Sequence, residues 1–282
     1  MPRLPIKPTA VWSVVKEIRA AAEDFRPLLV AGAPEPARAL RAELVRGGEE
    51  SAVLDLSGRE LTRYDLEGAR LLVYAIAGAK AGPADETALR LADRSDVEVV
   101  CLLAGEPGPE PVDVPFVLAT DVVVAPPGDE LPLEELLNRI AERAGDAGYT
   151  LAAKLPALRR PICDEVVAGF ARQNGILAAA IFVPGADLPV LTLNQIRMVL
   201  RIAAAHGEEI DRERAHELLP IVAAGFGLRA VARELAGVVP LGGWAVKAGI
   251  AYTGTRALGE AAVAYFEHGG ARRVARSVRS RS

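Results

Sequence analysis

The sequence predicts an α/β domain with a doubly wound, mostly parallel sheet, followed by an all-α helical bundle. Short apolar runs alternate with helical patterns between residues 26 and 147. These runs are nearly continuous in Val and Leu, as strands are when helices cover both faces of a parallel sheet. After residue 148 no strand pattern returns. We therefore expect an N-terminal amphipathic helix at 1–25, the α/β domain at 26–147, the helical domain at 148–270 and a disordered basic tail at 271–282.

The elements of the first half follow from the spacing of apolar residues. Residues 9–24 carry Val and Ile at helical spacing, which predicts an amphipathic helix lying on the α/β domain. Apolar runs bounded by turn residues predict buried strands at 27–31, 52–56, 70–77, 97–103 and 121–125. Helical patterns between or after these runs predict helices at 36–45, 84–93 and 133–142.

The second half carries helical patterns to its end. The first helix, 149–181, is expected to break at Pro156 or Pro161. Gly207 is the predicted left-handed cap of a second helix. The remaining helices are predicted at 189–205, 211–235 and 241–267.

Small residues recur at every fourth position of the last predicted helix, at Ala245, Gly249, Thr253, Ala257 and Ala261. A row of this kind permits close approach of helix backbones. We expect it to pack against residues 174–206, so that Gly249→Leu would overpack the bundle and destabilise it.

Charge and composition exclude several classes of function. The net charge of -4 gives no reason to expect nucleic acid as a partner. Cys101 and Cys163 are too few for a disulfide scaffold, and no secretory signal pattern is present at the start. We therefore expect a cytoplasmic protein. The basic tail predicts either a solvated terminus or contact with anionic lipid on the inner face of a membrane.

The turn after the first strand is where a phosphate loop would lie. Laid on the pattern G-x-x-x-x-G-K-[S/T], residues 32–39 keep only Gly32. Arg38 stands where lysine would reach the phosphate oxygens, and Ala39 stands where a hydroxyl would hold Mg²⁺. Pro34 and Pro36 remove amide donors. These changes predict that phosphate binding is lost.

The second predicted strand ends in D-x-x-G, formed by Asp55 and Gly58. This strand order resembles a small Ras-like G domain of the Era type, with Asp55 at the metal-supporting aspartate and Gly58 at the switch glycine. The guanine-reading motif is absent from residues 104–108, and its companion is absent from 125–127. We therefore expect a remnant nucleotide site at Gly32, Arg38, Asp55 and Gly58, with no catalytic residue and no bound cofactor or metal.

The helical half, from about residue 155 to 270, resembles the YcjF-related helical family of unknown function. That family is often fused to or encoded beside GTPases, so the resemblance implies a GTPase partner, and some members are membrane-associated. The matching segments are 159–161, 172–174, 184–189, 193–198, 242–244 and 252–255.

Four residues of this half are candidates for interaction with a partner. Asp187 precedes Pro189 and has the position of a helix N-cap. Arg197 and Arg201 lie one turn apart and predict either a solvated basic edge or a groove for an anionic partner. Trp244 follows two glycines and is an expected core or interface anchor.

These observations predict a non-catalytic pseudo-GTPase with an accessory helical domain, acting in assembly or at a membrane surface. Its partner would be another protein or a second copy of the chain. One alternative is a divergent NTPase that binds GTP and Mg²⁺ through Asp55 and the backbone of residues 32–38. Another is an integral membrane protein with a re-entrant helical hairpin at 174–206, although prolines and Asp187 interrupt the apolar run that a span of about 20 residues needs.

Overall fold

The protein is described by a computed structural model that covers residues 8–106, 112–126, 128, 130–180, 188–211 and 243–268. The chain folds as two compact units. One is continuous, Asp24–Ile162. The other is discontinuous and combines Met1–Glu23 with Cys163–Ser282.

The continuous unit is built on a five-stranded, all-parallel sheet, which confirms the predicted fold class. The strands lie in the order β2-β1-β3-β4-β5. Their bounds are β1 (Leu28–Gly32), β2 (Val53–Ser57), β3 (Leu71–Ala77), β4 (Glu98–Ala104) and β5 (Val122–Ala125). Each strand therefore begins and ends within a residue or so of its predicted limits.

Helices cover both faces of this sheet, because the strand side chains alternate. Leu72, Tyr74 and Ile76 of β3 pack with Leu89 and Ala92 on one face. The helices on that face are α3 (Arg63–Leu66) and α4 (Pro83–Arg94). The helices on the other face are α2 (Pro34–Leu44) and α5 (Leu133–Ala144). The arrangement is doubly wound, as predicted.

The continuous unit ends in helix. α6 (Gly148–Lys154) stops at Leu155, whose backbone is extended, and α7 (Pro156–Ala180) begins at the next residue. The predicted break at Pro156 is confirmed, whereas Pro161 lies inside α7 without ending it. Proline lacks an amide hydrogen and so is tolerated at the start of a helix.

The described helices of the discontinuous unit are α1 (Pro8–Glu23), the part of α7 from Cys163 onward, α8 (Leu188–Ala205) and α9 (Gly243–Glu267). Gln195 of α8 contacts Thr255 of α9, and His206, the residue after α8, stacks on Phe266 of α9. The residue numbers rise together in these two contacts, so the two helices run parallel. By the same reasoning α7 runs antiparallel to α8, since its Phe170 and Asn174 contact Arg201 and Asn194.

Gly207 caps α8 as predicted. Its φ of 77° is left-handed, and its N–H donates to the carbonyl of Ala204 at 2.8 Å. The next amide, Glu208 N–H, donates to Ala203 O at 3.1 Å, which completes a Schellman motif. Apart from residue 211, the helix predicted at 211–235 lies outside the described residues, as does the basic tail.

The expected position of α1 was wrong. We expected this helix to lie on the α/β domain, but it groups with the helical unit and contacts α8. Its apolar residues Val14, Val15 and Ile18 are buried. The helical spacing predicted the buried stripe, but sequence position suggested the wrong neighbour because a helix can pack against residues distant in the chain.

The expected packing of the small residues in α9 was also wrong. Ala245, Gly249, Thr253, Ala257 and Ala261 are all exposed. A Cβ atom at Gly249 would meet nothing within 4 Å, so Gly249→Leu would not overpack the bundle. The buried face instead carries Ala251, Thr255, Leu258, Ala262 and Val263. Small and apolar residues occur on both faces of α9, so their spacing did not identify the buried one.

Candidate functional site

The candidate site of the α/β unit lies at the carboxyl ends of β1, β2 and β3. In the order β2-β1-β3-β4-β5 the chain leaves β1 towards β2 and then crosses to β3 on the other side. Ligands of open α/β sheets bind at such a switch point, outside the carboxyl ends of the strands. Two of the predicted residues, Gly32 and Gly58, lie at these ends.

Gly32 and Gly58 are brought together by the backbone. Gly58 N–H donates to Gly32 O at 2.9 Å. Gly32 has a φ of +92°, and a Cβ atom built on it would lie 2.0 Å from Ala75 O. Gly58 has a φ of +74°, and its Cβ would lie 3.0 Å from Cγ of Pro34. Close approach of neighbouring backbone therefore accounts for the glycine at position 32, and a left-handed turn accounts for Gly58.

The amide groups at the start of α2 are mostly absent or already bonded. Ala33 is the N-cap, and its N–H donates to Ala75 O at 2.8 Å. Pro34 and Pro36 have no N–H. The amide of Ala37 makes the first helical bond, to Ala33 O at 3.2 Å. Of the four amides that a helix start normally offers, Glu35 supplies the remaining one.

The ion pair of Arg38 is with Glu35, not with Asp55. Arg38 is exposed, and its Nη1 lies 2.9 Å from Glu35 Oε1. The pair follows the i,i+3 spacing of a helix surface. Arg38 is thus a surface residue of α2, just after its first turn.

Asp55 caps the end of its own strand. Ser57 N–H donates to Asp55 Oδ1 at 2.9 Å. Hydrogen bonds from the hydroxyl and the N–H of Ser57 lower the pKa of the Asp55 carboxyl, and the nearby Arg41 and Arg38 guanidinium groups lower this pKa further. The exposed carboxylate is therefore held in its charged form by a local turn.

The chemistry available elsewhere in the described residues is limited. Burial raises the pKa of the Cys101 thiol to about 12, which leaves almost no thiolate at neutral pH. Tyr74 donates a hydrogen bond to Asp85 at 3.1 Å, and burial raises the pKa of its phenol. In the described part of the chain, no group of three or more His, Cys, Asp or Glu residues is arranged to hold a metal ion.

Arg197 and Arg201 of the helical unit share one carboxylate. Arg197 Nη2 lies 3.1 Å from Glu17 Oε2, and Arg201 Nη2 lies 3.2 Å from Glu17 Oε1. The guanidinium of the buried Arg201 also lies over the ring of Phe170, at 5.4 Å from the centroid. The two arginines thus join α8 to α1, rather than forming the solvated edge that was one of our interpretations.

The other two interaction candidates have no described contacts. Asp187 lies outside the described residues. Trp244 lies in the first turn of α9, and the structure describes its backbone but not its side chain. Their predicted roles stay predictions.

The sequence did not reveal a buried polar network between three helices. Asn174 of α7 donates through Nδ2 to Thr255 Oγ1 of α9 at 3.0 Å and accepts from Asn194 Nδ2 of α8 at 3.0 Å. Gln195 of α8 donates to the same Thr255 oxygen at 3.2 Å. All four side chains are buried. The available signal was the presence of Asn and Gln among apolar residues in predicted helices, because buried polar groups are normally hydrogen-bonded.

No protein-family model matches this chain, and none of the curated proteins compared with it matches either. None of the described helices combines the length and the apolarity that crossing a membrane requires.

Proposed function

We propose that this protein is a non-catalytic pseudo-GTPase whose helical unit acts in assembly, through contacts with a second copy of the chain or with another protein. On this proposal, the α/β unit keeps the strand order of a Ras-like G domain without its nucleotide chemistry. The helical unit is that of the YcjF-related family.

The observation that carries the proposal is the supply of amides at the start of α2. Phosphate binding at a helix start depends on several N–H groups that point at the anion. Here one amide bonds to Ala75, two positions are proline, and Glu35 supplies the one that is left. The Glu35 side chain adds a carboxylate to the same turn and pairs with Arg38, so the guanidinium nearest to this helix start is already engaged.

The surroundings of Asp55 also support the proposed loss of nucleotide and metal binding. A metal-supporting aspartate acts on a metal held jointly by phosphates and by a hydroxyl in the phosphate loop. Ala39 offers no hydroxyl at that position. The Asp55 carboxylate is bonded to Ser57, and this turn gives it a structural role that requires no metal.

The helical unit offers an exposed surface for an assembly partner, in which small residues of α9 lie beside the exposed Arg256–Glu260 ion pair. The exposed row on α9 contains Ala245, Gly249, Thr253 and Ala257. Ile176 of α7 is 71% exposed. A Cβ atom added to Gly175, the residue before Ile176, would lie 3.5 Å from Ala248 O of α9. Ile176 therefore lies at the same end of the α7–α9 pair as this row. The exposed Ile176 is the apolar side chain that an assembly partner would cover on this surface.

The proposal is tested by measuring phosphate release from GTP with Mg²⁺, for the full chain and for Asp55→Ala. We expect both proteins to release phosphate at the rate of the buffer alone. Release above that rate in the full chain, abolished by Asp55→Ala, would support the divergent NTPase instead.

The assembly role is tested by sedimentation velocity over a range of protein concentrations, with Ile176→Glu as the variant and Glu35→Lys as a control on the other unit. We expect concentration-dependent association that Ile176→Glu weakens and Glu35→Lys leaves unchanged. A monomer at all concentrations would remove the second copy of the chain as partner.

A further inference from the structure

We propose that the connection between β4 and β5 carries a self-association surface, which a second copy of this chain covers across a two-fold axis. This surface, the turn patch, consists of Phe116 and Leu118 of the connection and of Arg90 and Asp93 of α4. It belongs to the α/β unit, so it is separate from Ile176 and the exposed row of the helical unit.

The turn at the centre of the patch contains a residue that its backbone disfavours. Val117 N–H donates to Val114 O at 3.2 Å, which closes the turn. Pro115 is its second residue, and Phe116, the third, has a φ of 67°. These are the features of a type II turn, whose third position normally carries glycine or asparagine. A bulky side chain in this left-handed conformation is strained.

The rest of the described chain avoids this strain. Eight of its other residues with a positive φ are glycines, and the ninth is Asp96, a residue type that tolerates the left-handed conformation. Phe116 is the exception, although half of it lies outside the core, since it is 48% exposed. Leu118, two residues further along, is 62% exposed. The strained turn thus presents two apolar residues to solvent, and strain of this kind is concentrated at functional positions.

Two charged residues of α4 flank this apolar pair without neutralising each other. Arg90 and Asp93 lie one turn apart and are both exposed, at a spacing that allows an ion pair. They do not form one, because the Arg90 guanidinium lies over the Phe116 ring, at 5.4 Å from the centroid. Neither Arg90 nor Asp93 has an ion-pair partner among the described residues. The patch therefore offers one open cation and one open anion beside apolar surface.

This combination of charges identifies the occupant as a second copy of the chain. In a two-fold interface the same patch of both chains meets, so the patch must complement itself. Phe116 and Leu118 would cover their counterparts, while Arg90 of each chain pairs with Asp93 of the other. A guanidinium can stack on an aromatic ring and still donate from its edge to a carboxylate. Charges of one sign alone would repel the second copy.

The test is sedimentation velocity of the full-length chain carrying Ile176→Glu. That substitution weakens association through the helical unit, so the association that remains reports on the turn patch. We expect association that increases with protein concentration. Phe116→Gly should raise its Kd by at least about tenfold, because the central aromatic anchor is lost. Glycine fits the left-handed conformation, so this variant should keep the circular dichroism of its parent.

Two further single substitutions complete this measurement. Leu118→Asp changes the more exposed of the two apolar residues and should also raise the Kd by at least about tenfold. Tyr64→Ala is the matched control, since Tyr64 of α3 is an 85% exposed aromatic residue of the same unit outside the turn patch. Its removal should leave the Kd unchanged.

Charge reversal distinguishes a second copy from any other partner. Arg90→Asp gives a patch with two acidic residues, and Asp93→Arg gives a patch with two basic residues. Each variant alone should associate at least about tenfold more weakly, because like charges meet across the two-fold axis. An equimolar mixture of the two should associate again, since each acidic residue then meets a basic one.

Three results would overturn the proposal. One is that the Ile176→Glu chain stays monomeric up to about 100 μM, which would leave the assembly role of the helical unit standing and remove the turn patch as a second interface. Another is an unchanged Kd for both Phe116→Gly and Leu118→Asp. The third is that the mixture of charge-reversed chains associates no better than either variant alone.

Discussion

A Cβ atom on Gly259 of α9 would lie 2.5 Å from Cγ2 of Val167 on α7. Helices α7 and α9 can therefore approach this closely only because residue 259 has no side chain. We expect Gly259→Ala to lower the free energy of unfolding by about 1–3 kcal/mol, because the added methyl group forces Val167 and its neighbours apart. Thermal unfolding followed by circular dichroism measures the effect.

Gly249→Ala is the matched control on the same helix. Nothing lies within 4 Å of a Cβ atom at position 249, so the added methyl group meets only solvent. Alanine in place of glycine within an exposed helix should raise the free energy of unfolding by about 0.5–1 kcal/mol. The two substitutions, on one helix, are thus expected to change the free energy of unfolding in opposite directions. Destabilisation by Gly249→Ala would contradict the observed orientation of α9.

Glu17→Gln should destabilise the helical unit, since it removes the carboxylate that Arg197 and Arg201 share. Arg201 is buried and would lose a charged partner, whereas Glu17 itself is exposed. We expect a loss of about 1–2 kcal/mol in the free energy of unfolding, measured by urea denaturation. Added salt should reduce the difference from the wild type.

Glu35→Gln provides the control for that measurement. Glu35 also pairs with an arginine, Arg38, but both side chains are largely exposed. Exposed pairs contribute little, so the free energy of unfolding should change by no more than about 0.5 kcal/mol. If Glu35→Gln and Glu17→Gln had equal effects, the Glu17 contacts would be ordinary surface pairs.

The stability of the α/β unit should fall in acid partly because of Asp55. Its pKa in the folded protein is lowered below the ordinary value of 3.8, so folding favours the charged carboxylate. This stabilisation is fully present above pH 3.8 and is lost as the pH falls through the lower, folded-state value. Asp55→Asn should therefore reduce the difference in unfolding free energy between pH 6 and pH 3. A titration of the Asp55 carboxyl by NMR at or above 3.8 would contradict this account.

The α/β unit could be predicted closely from sequence. Its strands are short, buried on both faces and nearly continuous in apolar residues, so their limits show directly in the sequence. The D-x-x-G segment also identified a real turn, with Asp55 bonded to Ser57 and Gly58 in a left-handed conformation. What the sequence did not reveal was the bond from Ala33 N–H to Ala75 O, because that contact joins residues distant in the chain.

The helical unit was harder to predict because its helices lack a single apolar face. α9 carries small residues on both sides, and α7 buries Asn174 while exposing Ile176. Hydrophobic periodicity predicts an orientation only where one face is clearly more apolar than the other. The role of Glu17 was missed for a different reason, since its partners lie on α8, far along the sequence.

The central claim is that the start of α2 no longer binds a nucleotide, and isothermal titration calorimetry of the full chain with GTP and Mg²⁺ tests it most directly. With one amide left in the first turn and a carboxylate beside it, we expect no saturable heat at GTP concentrations up to about 1 mM. Saturable, magnesium-dependent binding with a Kd of about 10 μM or tighter would contradict the account.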